Sequence, residues 1–255
     1  IAIPDADQTP EQIVGLADGV AAESQFARRL AESGCRVIVP LLIDRKMEKR
    51  NGRATLTSRE FLYRSAFEMG RHLAGYEVQK VLAAVDWFAK DAGDKDPKIG
   101  VIGYGEGGML ALYAAALDTR IDACCVSGYF GPREGIWEQP IDRNVFGLLE
   151  QFGDAELAAM VAPRGLVVDV AKYPELTLPS QGGAPAKLTR PDPKLVRREF
   201  DRVTVKIGGQ DVPKAFFADF KNSAPELFCA KESLEQFLAQ LAKATPATAS
   251  RAPER

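Results

Sequence analysis

A run of glycines between two apolar segments constrains the fold of this chain more than any other feature. Residues 99–102 read Ile-Gly-Val-Ile, residues 103–108 read Gly-Tyr-Gly-Glu-Gly-Gly, and residues 109–117 are rich in alanine and leucine. A short apolar run bounded by glycines is typical of a buried strand, whereas an alanine- and leucine-rich run is typical of a helix. The pattern predicts a strand, a tight turn and a helix, the unit from which parallel sheets are built.

Strands and helices are predicted to alternate along the rest of the chain. The predicted strands are residues 1–3, 35–43, 99–102, 121–127, 165–170 and 203–207, and the predicted helices are residues 22–33, 57–90, 109–117, 144–160, 194–202 and 233–241. Alternation requires crossover connections, so we expect one α/β domain over residues 1–244, with a mostly parallel sheet between helices on both faces. Gly70 and Gly75 are candidate breaks in the third helical region, and residues 245–255 are predicted to be a disordered tail.

Charge and cysteine content exclude several classes of function. The net charge of −2 gives no electrostatic case for binding nucleic acid or an anionic membrane, and no apolar run approaches the ~20 residues of a spanning helix. Four cysteines without Cys-x-x-Cys spacing predict buried free thiols, and no metal or cofactor is expected. This cysteine usage is compatible with the cytoplasm. The chain opens on Ile1 rather than Met, which indicates a processed chain or a piece of a longer one.

The glycine turn and two further segments resemble the α/β-hydrolase superfamily, and within it the dienelactone hydrolase and acetyl xylan esterase branch. The resemblance rests on residues 98–108, 117–121 and 162–168 and on the order of the predicted elements. It implies a three-layer fold in which residues 1–3 match the third strand of the family. The first two strands would then lie outside this chain, as expected for part of a larger polypeptide. The resemblance also implies an ester or lactone hydrolase with its nucleophile on the glycine turn, in a Gly-x-Ser-x-Gly elbow.

This chain lacks the serine of the elbow and the later histidine that the resemblance implies. Gly105 occupies the serine position, and the single histidine, His72, precedes the elbow instead of following the last strand near residues 208–211. By the resemblance, Glu106 N–H would be an oxyanion-hole donor, and Asp169 or the loop beyond it would supply the acid. Because serine and histidine act as one unit, we expect a degenerate domain that binds or supports rather than hydrolyses.

Two other functions stay open. The carboxylate of Glu106 could be a covalent nucleophile in an active ester or lactone hydrolase, although an acid in the first turn of a helix is also stabilised by the helix dipole. Gly103, Gly105 and Gly108 also satisfy the dinucleotide-binding pattern Gly-x-Gly-x-x-Gly in the strand-to-helix setting that it requires. The next strand ends at Ser127 without an acidic residue for a ribose.

The segment that follows the next strand supplies candidate ligand-binding residues, because open α/β sheets bind ligands at the carboxyl ends of their strands. Tyr129, Trp137 and Arg143 suit a carbohydrate, an ester or a small carboxylate, through ring stacking and ion pairing. Tyr104 and Gly105 of the turn would complete the site. The alternative is a packed loop that Trp137 anchors.

Other polar residues are expected to be structural. A Thr-x-x-Glu box at residues 57–60 predicts a helix start, and His72 is expected to pack or hydrogen-bond on a helix. Asp5 and Asp7 are expected to serve a turn and a cap, although two carboxylates in one loop could also hold Mg²⁺. The basic segment 45–53 is predicted to be solvated.

Overall fold

A computed structural model describes residues 1–50, 52, 54–93, 95–170, 172–179, 185–206, 215–218 and 227–243. The strands are β1 (Ala2–Ile3), β2 (Met47–Arg50), β3 (Ala54–Thr57), β4 (Ile99–Tyr104), β5 (Ile121–Ser127), β6 (Gly165–Asp169), β7 (Leu176–Thr177), β8 (Lys187–Leu188) and β9 (Ala215–Ala218). The helices are α1 (Pro10–Ile13), α2 (Phe26–Glu32), α3 (Ser58–Glu68), α4 (Leu73–Asp91), α5 (Glu106–Leu117), α6 (Asp154–Val161), α7 (Pro193–Lys206) and α8 (Lys231–Lys243).

Five strands form one parallel sheet in the order β1-β4-β5-β6-β9. One face packs on α4, α5, α6 and α7, and the other packs on α2 and α8. Adjacent residues therefore point into different layers: Cys124 lies in the first core and Cys125 in the second, as predicted for a buried strand. This three-layer arrangement confirms the predicted α/β-hydrolase-like fold.

The register places the carboxyl ends of the central strands side by side. Tyr104 of β4 pairs with Ser127 of β5, Ser127 pairs with Asp169 of β6, and Asp169 pairs with Ala218 of β9. The loops that leave these ends converge on one edge of the sheet, where open parallel sheets bind their ligands.

The predicted helix over residues 57–90 is two helices. The helix α3 ends just before Gly70, whose φ is +67°. A glycine adopts this left-handed conformation without the steric cost of a Cβ, and so it commonly ends a helix. His72 then caps α4: its Nδ1 accepts the N–H of Ala74 at 3.0 Å, and its Nε2 donates to the carbonyl of Asn144 at 3.1 Å. The expected hydrogen-bonding role of His72 is confirmed.

Replacing His72 with alanine is expected to lower the free energy of unfolding by about 1 kcal/mol, the usual effect of a lost helix cap. Asparagine at the same position should retain most of the stability, because its side chain also accepts a helix N–H. Burial lowers the pKa of His72 below its ordinary 6.5. The folded state therefore favours the neutral ring, and the advantage of His72 over alanine should shrink as the pH falls below about 6.5. Urea unfolding of the wild-type chain and of both variants at pH 7.5 and 5.5 measures these differences in stability.

Further predicted elements also differ in the structure. Residues 203–206 belong to α7 rather than to a strand, because Val196 and Val203 are seven residues apart and both are buried on one helix face. The strand that follows is β9, and residues 208–211 lie outside the described residues, as does the predicted tail. Residues 144–160 are not one helix: α6 begins only at Asp154, after Gly153 as its N-cap residue.

The predicted strand over residues 35–43 is an irregular segment and not a regular strand. The N–H of Ala2 donates to the carbonyl of Ile38 at 2.9 Å, which places the segment beside β1. Pro40 has no N–H to add to a ladder, which favours an irregular edge. The basic segment after it forms the β2–β3 hairpin, and Thr57 at its end accepts the Glu60 N–H at 3.0 Å, as the box at 57–60 predicts.

All four cysteines are free, and burial raises the pKa of the Cys124 thiol to about 12. Within the described ranges, no helix is long and apolar enough to cross a membrane. The same residues contain no group of three or more histidine, cysteine or acidic side chains placed to hold a metal ion.

Candidate functional site at the glycine turn

Gly105 lies at the apex of the turn between β4 and α5, with φ +57° and ψ −115°. Its N–H donates to the carbonyl of Ser127 at 2.9 Å, which fixes the turn on the carboxyl edge of the sheet. The neighbouring glycines allow close packing of the backbone. A Cβ on Gly103 would collide with the carbonyl of Gly107, and a Cβ on Gly107 would collide with the carbonyl of Ile3. The glycine pattern is therefore explained by strand–helix packing.

Asp5 fills the space in front of Gly105. Its Oδ1 accepts the N–H of Glu106 at 2.8 Å, and the side chain is almost completely buried. A Cβ built on Gly105 would lie 2.7 Å from Pro174 Cγ and 3.0 Å from Asp5 Cγ, with Asp5 Oδ1 nearer still. The N–H that the resemblance assigns to an oxyanion hole is thus bound by a carboxylate of the chain itself.

Glu106 is completely buried among three arginines. Its Oε2 accepts from Arg143 Nε at 2.8 Å and from Arg45 Nη2 at 3.0 Å, and its Oε1 accepts from Arg59 Nη2 at 3.1 Å. Burial raises the pKa of Glu106, but the charges of Arg143, Arg59 and Arg45 outweigh that effect and hold the pKa well below its ordinary value. The carboxylate is therefore ionised and hydrogen-bonded through both oxygens.

The arginines extend this arrangement into a buried cluster. Arg45 donates to Asp5 Oδ2 at 2.6 Å, and Arg59 donates to Asp142 Oδ2 at 2.7 Å and to Glu77 Oε2 at 2.9 Å. We call the following residues the arginine–carboxylate cluster: Arg45, Arg59, Arg143, Asp5, Glu77, Glu106 and Asp142. Asp5 thus binds the first N–H of α5 and pairs with Arg45, and its Oδ2 also accepts the Asp7 N–H at 3.3 Å, which is the turn expected for this loop.

The sequence prediction of a solvated basic segment is wrong for Arg45, which is only 5% exposed. No local sequence pattern indicates Arg59, Glu77 or Asp142 as site residues either. These residues come from separate elements, and only the folded chain brings their charges together.

A cavity of about 320 Å³ lies beside the elbow. Its lining includes Tyr129 and Arg143, which were both predicted as ligand-binding residues. It also includes Pro174, whose Cγ would lie 2.7 Å from a Cβ on Gly105. Arg143 is 6% exposed, and its Nη1 donates to Gln139 Oε1 at 3.1 Å. Its Nη2 is buried and has no hydrogen-bond partner among the residues that the structure describes.

The other three predicted ligand-binding residues are not part of the cavity lining: Gly105 lies at the turn, and Tyr104 and Trp137 lie elsewhere. Tyr104 lies in the opposite core layer, where its ring stacks on Phe228 with centroids 3.7 Å apart. Trp137 is 63% exposed, so it does not anchor a packed loop, and it is not part of the cavity lining.

Asp169 ends β6, where the resemblance implies the catalytic acid. Its Oδ2 accepts from Ser127 Oγ at 2.8 Å and from the backbone N–H of Cys229 at 2.9 Å. The only histidine, His72, caps α4 and is bonded to Asn144. The structure therefore shows Asp169 in a buried contact with Ser127 and Cys229.

Comparison with known proteins agrees with this architecture. Residues 9–146, more than half of the chain, match the model of the Dienelactone hydrolase family, and the chain belongs to that family. A curated relative, "Putative hydrolase YtaP" of Bacillus subtilis (strain 168), is 28% identical over 127 residues, which are 48% of this chain and 42% of the relative.

A solved structure shares the fold. It is described as a "putative acetyl xylan esterase" from Bacteroides fragilis NCTC 9343, and it matches with a TM-score of 0.58 and 16% identity over 88% of this chain and 59% of that one. At this identity the likeness shows the fold alone. The chain spans less than two thirds of the length of both proteins.

Proposed function

We propose that this chain is a non-hydrolytic binding or supporting domain of the dienelactone hydrolase family. The observation that carries the proposal is the position of Asp5, whose carboxylate binds the Glu106 N–H and fills the space where a nucleophile on residue 105 would stand. An oxyanion hole stabilises developing negative charge. The carboxylate of Asp5 at the Glu106 N–H would repel such charge. The chain also has no serine at position 105 and no histidine after the elbow.

The contacts of Glu106 favour a structural role over a nucleophilic one. Attack on an ester requires a carboxylate oxygen that can reach the carbonyl carbon. Both oxygens of Glu106 bind guanidinium groups, and the side chain has no exposed surface. Ion pairing also lowers the basicity of the carboxylate, which makes it a weaker nucleophile.

The same contacts disfavour a nucleotide at this turn. A pyrophosphate binds a helix N-terminus through unoccupied N–H groups. Here Asp5 occupies the Glu106 N–H, and Asp5 and Glu106 place two carboxylates at the start of α5. Added phosphate charge would be repelled at short range.

The proposal predicts that the chain turns over short aryl esters and lactones no faster than buffer. A fluorophosphonate probe should leave the protein unlabelled in intact-mass spectra. Asp5→Asn, which removes the charge from the turn, should stay at background as well, because it restores neither nucleophile nor base.

Turnover well above background would contradict the proposal. If that turnover disappeared in a folded Glu106→Gln variant, the carboxylate mechanism would replace it. Turnover that fluorophosphonate abolishes without labelling the chain would identify a contaminating esterase, so the assay separates the two cases.

A further inference from the structure

The charges around the elbow cavity are balanced. Four cationic side chains line it: Arg133, Arg143, Lys187 and Arg198. Two carboxylates in the lining, Glu134 and Glu138, oppose them, and two more are bonded directly to the lining arginines. Asp154 accepts from Arg133 Nε at 3.0 Å, and Glu106 accepts from Arg143 Nε at 2.8 Å. The positive charge of the two buried arginines is therefore already matched.

The cluster behind Arg143 carries an excess of negative charge. Three guanidinium groups, those of Arg45, Arg59 and Arg143, face four buried carboxylates. A fifth carboxylate, that of Asp7, is half-exposed and also pairs with Arg45. An anionic ligand on Arg143 would add another negative charge to this set, in a low-dielectric setting where like charges repel strongly.

Arg143 nevertheless has a hydrogen bond to give. Its Nε is used by Glu106 and its Nη1 by Gln139, whereas Nη2 has no partner within the described part of the chain. Guanidinium nitrogens only donate, so the partner must be an acceptor such as an oxygen. A buried donor left unpaired is destabilising, so occupation of this position by an oxygen is favoured.

The hydroxyl of Tyr173 in the lining is engaged elsewhere, because it donates to the carbonyl of Phe130 at 2.7 Å. Arg143 also lines the cavity, and its Nη2 is a buried donor without a partner among the described residues. A volume of about 320 Å³ is at the small end of the range for small-molecule sites.

We infer that the elbow cavity binds an uncharged, oxygen-rich small molecule whose hydroxyl, amide or ester oxygen accepts from Arg143 Nη2, and that it discriminates against carboxylates. This inference rests on the proposed binding function and names its ligand class. Glu106 sets the discrimination, because it neutralises the guanidinium that a carboxylate would otherwise pair with.

The test compares two ligands of the same ring and size, D-glucuronamide and D-glucuronate, by calorimetric titration of the full chain. The amide should bind about tenfold tighter than the acid, as expected when one ligand gains a hydrogen bond and the other adds an unpaired charge. The affinity for the amide should not change between low and high salt, because no net charge is brought together.

Two variants test the assigned donor. Arg143→Met should reduce amide affinity about tenfold or more, whereas Lys90→Gln, an exposed change on α4 outside the cavity lining, should leave it within about twofold. Circular dichroism checks that each variant folds. If Arg143→Met does not fold, the preference of the wild-type chain and its salt independence still decide the question.

Three results would overturn the inference: tighter binding of the acid, equal binding of both ligands, or no binding of either. The last would mean that water alone satisfies Nη2. Hydrolysis of an ester ligand would instead contradict the proposed non-hydrolytic function, and it would leave the measured preference for neutral ligands standing.

Discussion

Replacing Glu106 with glutamine is expected to lower the free energy of unfolding by about 3–5 kcal/mol, the usual effect of breaking a buried ion pair on one side. Glu106 binds three guanidinium groups, and among the described residues it is the only carboxylate paired with Arg143, so a neutral amide would leave that buried guanidinium without a counter-charge. The NH₂ group of the glutamine would also face the N–H donors of the arginines, with which it cannot hydrogen-bond. Urea unfolding followed by circular dichroism measures the change.

The matched control is Glu32→Gln. Glu32 pairs with Arg28 on the exposed face of α2, and more than half of each side chain is accessible to solvent. Exposed pairs of this kind contribute about 0–1 kcal/mol, so the control should change stability very little. Equal effects of the two substitutions would mean that Glu106 is not the centre of the buried cluster.

Acid should reveal the same cluster without any mutation. Burial alone would raise the pKa of Asp5 and Glu106, but the neighbouring arginines hold both below their ordinary values of 3.8 and 4.5. Each carboxylate therefore stabilises the fold fully above about pH 5, and this contribution is lost as the pH falls through 4 toward the folded pKa values. The pH dependence of unfolding should be steeper below pH 5 in the wild-type chain than in Glu106→Gln.

The layered fold is predictable from the sequence because it depends on local patterns. The apolar runs of β4, β5 and β6 and the glycines of the turn specify a buried parallel sheet and its elbow without reference to distant residues. Local patterns failed where tertiary contacts decide. The β-branched residues near 203–206 favour a strand, yet the burial of Val196 and Val203 on one face makes the segment helical.

The candidate site is less predictable because it consists of ion pairs between residues that are far apart in the sequence. Tyr129, Arg143 and Gly105 were identified because they follow strand ends, which is a property of the topology. Arg45 lies in the basic segment 45–53, and Arg59 lies just after Thr57, the cap of α3. Arginines at such positions are usually solvated. Nothing in the sequence indicates that both meet Glu106 in the protein interior.

Replacing Gly105 with alanine is expected to lower the free energy of unfolding by about 2–4 kcal/mol. Part of the effect is backbone strain, because a side chain disfavours the φ of +57° and ψ of −115° at this turn. The rest comes from overlap of the new Cβ with Asp5 and Pro174. Gly105→Ser should behave similarly and gain no esterase activity, since the family's histidine is absent.

Gly34→Ala separates the two causes. Gly34 also has a positive φ, +86°, but a Cβ there would meet no atom within 4 Å, so its substitution reports backbone strain alone. We expect about 1 kcal/mol for Gly34→Ala, and the additional effect at Gly105 sets an upper limit on the contribution of the overlap with Asp5 and Pro174. If Gly105→Ala is no more destabilising than Gly34→Ala, the space in front of residue 105 can open readily. The proposed loss of hydrolysis would then depend only on the missing serine and histidine, and Asp5 would no longer support it.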